Sequence, residues 1–224
     1  NTAVGYRALS ANTTGSNTAV GSEAMQLTTT GANNSALGLQ ALRLNTTGAG
    51  NVAVGANAVD ANTTGGNLVG IGSAALGANT TADNNTAVGA AALGANTTGE
   101  LNVAVGTISL DASTTASENT AVGYGSLTTC TTGGANTAIG YVSMQNLTTG
   151  VRNTAVGNQA MVSITTGNDN VAIGREALDS NTTASNNVAV GFDALGLNTT
   201  GSVNTAVGNE AMESNTTGAN NTAI

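Results

Sequence analysis

Two kinds of side chain here could do chemistry by type alone: twelve carboxylates and a single thiol. A close pair such as Glu210 and Glu213 could supply an acid and a base, and Cys130 could supply a nucleophile. Neither has the partners such work needs. The chain contains no His, so it has no Ser-His-Asp or Cys-His relay and no ordinary zinc set. Calcium-binding solenoid turns need an Asp in every repeat, whereas the six Asp here fall irregularly. The expectation is a protein that is not an enzyme and carries no metal or cofactor.

Other candidates lie in short recurring strings. The triplet N-T-T begins at Asn12, Asn45, Asn62, Asn79, Asn96, Asn181, Asn198 and Asn215 and matches the N-glycosylation acceptor pattern. The same residues also suit turns, because Asn and Thr bridge a turn through their own side chains. The paired Thr, as in Thr13 and Thr14, recur often enough to order water and bind ice, but adjacent residues of an extended strand cannot both face outward. The four aromatics, Tyr6, Tyr124, Tyr141 and Phe192, could stack against sugars on a target surface.

All these strings belong to one period. The Gly of N-T-A-V-G recurs from Gly5 to Gly208, first after 16 residues and then always after 17. The unit reads N-T-A-V-G-x-x-A-L-x-x-N-T-T-G-x-x, thirteen times over. Position 4 is always Val, Ile or Leu, and position 9 is Leu, Met or Val. Position 3 is Ala except at Gly70, and position 8 is Ala or Ser. Positions 13 and 14 are Thr in every unit. All sixteen charged residues occupy positions 6, 7, 10, 16 and 17, which marks those positions as solvent-facing. The aromatics all occupy position 6.

Seventeen residues are too few for a two-helix repeat, and T-A-V, with β-branched residues flanking Ala, suits a short strand. The unit therefore reads as a strand at positions 1–4, a corner at Gly5, a second short strand around positions 8–10 and a return through N-T-T-G. Stacked units make an all-β parallel solenoid, one repetitive domain over 1–224. At a rise of roughly 4.8 Å per coil, thirteen coils give a rod about 60 Å long. Gly serves the corners because it reaches positive φ without a steric penalty. Asn at position 1, absent only at Leu68, can hydrogen-bond up the axis as a ladder. Cys130 stands at position 12, where most units carry Asn, and reads as a substituted ladder position.

Alternation along the strand puts positions 2 and 4 on one face and position 3 on the other. With Ala inside, Val4, Val20, Leu37, Val54, Val88, Val105, Val122, Ile139, Val156, Ile173, Val190 and Val207 form an outward apolar strip, which several chains would cover by packing around a common axis. With the Val column inside, a monomeric solenoid results.

The net charge of −8 argues against nucleic acid, whose phosphates call for a basic patch. No apolar run is long enough to span a membrane. Both ends of the sequence cut through a repeat, which reads as a segment of a longer chain.

The unit N-T-A-V-G-x-x-A-L resembles the head repeats of trimeric autotransporter adhesins. The full unit with its N-T-T-G return is similar to repeat arrays in tail-fibre-type proteins of phages and bacteria, and both resemblances cover the whole chain. They imply a left-handed β-roll in a parallel homotrimer, displayed outside the cell on a cell or virion surface. The partners implied are further copies of the chain and a host-surface glycan or protein. The period here is longer than that of the adhesin heads, so the coil carries a longer return loop.

Overall fold

The structure is a computed structural model that describes residues 1–224. It is all-β, with no helix, and forms a β-solenoid with a 17-residue repeat. The chain divides into two compact units, Asn1–Ala116 and Ser117–Ile224. In the first unit β1 (Thr2–Val4), β2 (Thr18–Val20), β3 (Ser35–Leu37), β4 (Val52–Val54), β5 (Val69–Ile71), β6 (Thr86–Val88) and β7 (Val103–Val105) stack in chain order as a parallel sheet. In the second, β8 (Thr120–Val122), β9 (Thr137–Ile139), β10 (Thr154–Val156), β11 (Val171–Ile173), β12 (Val188–Val190), β13 (Thr205–Val207) and β14 (Thr222–Ala223) do the same. Register is like on like: Ala36 pairs with Ala53 and Leu37 with Val54.

Each strand covers only positions 2–4, and the Ala at position 3 points inward. Ala53, Ala87, Ala121 and Ala155 are completely buried, while positions 2 and 4 on either side are at least partly exposed. The small Ala is required because position 9 of the same coil reaches the centre: Leu42, Leu76, Leu127 and Leu178 are wholly buried. At Gly70 the added Cβ would collide with Val59 Cγ2, so the one Gly in the Ala column sits against the one Val in the Leu column.

The second strand expected around positions 8–10 does not form. Positions 5–12 instead make three overlapping turns. In the second coil Ala24 N–H donates to the Gly21 carbonyl, Gln26 N–H to Glu23 and Thr28 N–H to Met25, at 3.3–3.4 Å. Positions 7 and 9 take positive φ, as at Glu23 (58°) and Met25 (49°), which is the geometry of the third residue of a type II turn. The left-handed conformation costs an L-residue about 1–2 kcal/mol. Burying a Leu or Met side chain gains about 1.5–3 kcal/mol, and the neighbouring coil adds backbone bonds: Met25 N–H to the Ala41 carbonyl at 3.0 Å and Glu23 N–H to the Tyr6 carbonyl at 2.7 Å.

Glycine is indispensable at position 5, where φ is near +135° and a Cβ would strike the carbonyl of the next coil's Gly, as Gly38 would strike Gly55. The Gly of N-T-T-G is a different case. Apart from Gly15 its φ is not positive, and the left-handed residue of the return is position 17, as at Asn33, Asn84 and Asp169. Position 15 is small because a side chain there would meet the next coil's carbonyl, as Gly48 would meet that of Gly65, while its own carbonyl accepts from Asn34 Nδ2 (2.9 Å) and Asn45 Nδ2 (3.0 Å).

Candidate interaction surface

The interior of each coil is polar on one side, and the Asn columns explain why. At position 1, Asn34 Oδ1 accepts from the backbone N–H of Asn51 at 2.9 Å, which repeats up the stack. At position 12, Asn62 Nδ2 donates to Asn45 Oδ1 (2.9 Å), Asn79 to Asn62 (3.0 Å) and Asn96 to Asn79 (3.1 Å). Asn45, Asn62, Asn79, Asn96, Asn181 and Asn198 are fully buried, so no glycan can stand on them in the folded chain. Cys130 occupies the same column. Its thiol is buried and donates to the Gly133 carbonyl at 3.2 Å, and burial pushes its pKa up to about 11. A thiol so protonated is a poor nucleophile. Buried atoms without a partner gather in this column too: Thr28 Oγ1, Ser113 Oγ and Asn181 Oδ1.

Glu210 and Glu213 stay on the outside of their coil, and no group of three or more His, Cys, Asp or Glu side chains is placed to hold a metal ion. A shallow trough of about 480 Å³ has Asp60 and Asp111 at its ends over a floor of Ala and Gly. Three coils, roughly 14 Å, separate the two, farther apart than the pair of a glycosidase. Burial raises the pKa of both, with Arg43 partly opposing this at Asp60.

The aromatics at position 6 are exposed or half-exposed. Tyr124 and Tyr141 stack on each other with ring centroids 5.7 Å apart and planes 13° apart. Arg175 lies 4.5 Å over the Phe192 ring, and Arg7 lies 5.3 Å over Tyr6. Stacking against a sugar needs a free ring face, and these rings already give one face to a neighbour in the chain.

The Thr pairs divide their work. Position 13 turns its hydroxyl to the next coil, as Thr46 Oγ1 donates to the Thr63 carbonyl at 2.9 Å. Position 14 is exposed in all thirteen coils, from Thr14 to Thr217, and its hydroxyl makes no hydrogen bond within the chain.

The feature that stands out is the strand face. Positions 2 and 4 carry no charge anywhere in the chain. Val4 is 58% exposed, Leu37 52%, Ile173 41% and Val207 37%, with the remaining Val of the strip half-buried. The structure thus places Ala inside and the aliphatic column outside, and Ile71 (39% exposed) joins that column. Charge collects elsewhere, most tightly where Arg152 grips Asp169 with Nε–Oδ1 at 2.7 Å and Nη2–Oδ2 at 2.9 Å. In the first unit the strand face is also uneven: a hollow of about 170 Å³ opens beside Ser35 and Leu37. Ser35 is the only Ser at position 2 and Leu37 the only Leu at position 4. That pairing was readable as a break in two columns, but without the structure it had no meaning.

Comparison with protein-family models, curated proteins and solved structures finds no match to this chain.

Proposed function

We propose that the chain is a shaft segment of an extracellular fibre, displayed on a cell or virion surface, built as a parallel homotrimer that projects or mediates attachment. The observation that carries this reading is the uncharged strand face with its exposed aliphatic column. In each unit seven strands at roughly 4.8 Å spacing, each about 10 Å long, make a face of about 340 Å². That matches the largest apolar patch of a typical monomer, which is often a functional surface. The sequence resemblance to trimeric adhesin heads and tail-fibre arrays supports three chains. In this reading the work is mechanical: each coil is stabilised by its neighbours, and repeat number sets length. Sedimentation equilibrium with electron microscopy of cross-sections tests it. Three chains around the strand faces are expected, and a monomer at every concentration overturns the shaft.

A second reading rests on the rank of exposed Thr at position 14, whose hydroxyls are free in every coil. Such a rank suits binding to a surface of ordered water or glycan. Thermal hysteresis in a freezing assay and binding to a glycan array test the two forms, and a negative result in both removes this reading.

A further inference from the structure

Like coils are a problem for an assembly of parallel chains. If two copies meet through columns of near-identical Val, one can slide past the other by a whole coil and lose little contact, so something must fix the register. The strand face of the first unit breaks its pattern in several places, and at β3 the break opens a hollow. At β3 the position-2 residue shrinks to Ser35 and the position-4 residue of the same strand grows to Leu37. Thr18, Val20, Ala36 and Val54 complete the wall of the hollow beside them. Its volume of about 170 Å³ equals roughly five to six waters at about 30 Å³ each, enough for an isobutyl side chain. The Leu37 side chain is 52% exposed and projects from the same face.

We propose that Leu37 of one copy seats in the hollow beside Ser35 of the next copy and so locks the chains of a parallel assembly coil against like coil. This rests on the parallel assembly proposed above. The occupant is a second copy for two reasons. The chain carries net charge −8, all of it off this face, so two copies that meet here bring no like charges into contact. In a rotational assembly, moreover, one edge of each face meets the opposite edge of the next copy. That arrangement brings position 4 of one chain to position 2 of its neighbour at the same height. A slip of one coil toward β4 would put Leu37 against Val52, outside the hollow, where the larger side chain fills the space and overpacking opposes the contact.

The test uses the full chain. Ser35→Val fills the hollow but reproduces the Val-Ala-Val already present at Val52–Val54, so folding is retained. Association measured by sedimentation is expected to weaken about tenfold or more, and adding Leu37→Val is expected to restore it. In parallel, Ser35→Cys combined with Leu37→Cys is expected to give covalent oligomers on mild oxidation, with Cys130 silent because it is buried. Val52→Cys with Leu37→Cys, one coil out of register and outside the hollow, is expected to give few. An oligomer indifferent to Ser35→Val, or cross-linked better by the out-of-register pair, overturns the lock while leaving the assembly standing. A monomeric unsubstituted chain overturns the assembly and the lock with it.

Discussion

Asn79 Nδ2 donates both to Asn62 Oδ1 at 3.0 Å and to the Ala82 carbonyl at 3.1 Å, joining one coil to the one before it and closing the turn of its own. Such a group holds the stack from within, and a buried polar partner left unpaired costs about 1–3 kcal/mol. Asn79→Ala is therefore expected to lower unfolding stability by about 2–4 kcal/mol, since it orphans the Ala82 carbonyl and leaves a cavity as well. Chemical denaturation followed by circular dichroism measures it. A loss below about 0.5 kcal/mol would mean that water replaces the amide.

On the outside the expectation reverses. Val122→Asp or Val156→Asp places a carboxylate on the strand face at positions that are half-exposed in the single chain. Each variant should keep the β circular-dichroism signal of the fold and lose assembly, because an unpaired charge is costly in a packed interface. Normal sedimentation of either variant as an oligomer would refute the placement of that column.

The stacked pair Tyr124 and Tyr141 gives a smaller effect. A double-mutant cycle with Tyr124→Ala and Tyr141→Ala should show a coupling of about 0.5–1 kcal/mol in thermal stability, near the low end for aromatic pairs because both rings are exposed. Zero coupling would leave the stacking without energetic consequence.

Acid should stabilise the fold at first. Asp60, Asp111 and Asp179 are held above the ordinary carboxylate pKa, chiefly by burial, and Asp179 also by Glu176 and Asp193. A group raised on folding contributes stability that is full below its unfolded pKa and is lost as pH rises through the folded one. These three therefore favour the folded state increasingly as pH falls from neutrality toward about 4. Asp169 runs the other way: the hydrogen bond from Arg152 lowers its pKa, so its contribution is present above about pH 4 and lost below that. Thermal melts should rise between pH 7 and about 4.5, and Asn at positions 60, 111 and 179 together should flatten that rise. A steady fall over the same range would contradict it.

Period, strand, position-1 Asn ladder and charged positions could all be read from the sequence, because each follows from side-chain size or polarity repeated at fixed spacing, whereas alternation alone left open whether the Ala or the aliphatic column faces inward. The turns could not be read there. Positive φ is legible where only Gly is tolerated, as at Gly38, whose Cβ would meet the next coil's carbonyl. At Leu42 and Met161 the left-handed backbone is imposed by the coil above and by burial, and an isolated Leu gives no sign of it. The second ladder showed in the sequence only through Cys130, read as a substituted ladder position, and not in its bonds. Asn45 looks like a turn residue in N-T-T-G, and its bond to Asn62 exists only once two coils are stacked. For the interaction face, the aliphatic column was legible but the hollow was not, since it arises from Ser35 and Leu37 acting together.

The left-handed Leu and Met residues also bear on how such a chain changes over generations. Each coil adopts a shape its own residues disfavour, and does so because an almost identical coil lies against it. A coil thus acts as a mould for the next, and growth of the stack is closer to adding a layer to a crystal than to closing a globule. A layer added to a crystal does not depend on how many lie beneath. Duplication or loss of one entire repeat by recombination leaves every remaining contact with an equivalent partner, whereas gain or loss of a single residue throws the mould out of step. Length can then drift in whole units at little structural cost, and the places that resist such drift are the few coils, like that of Ser35 and Leu37, that are not copies of their neighbours.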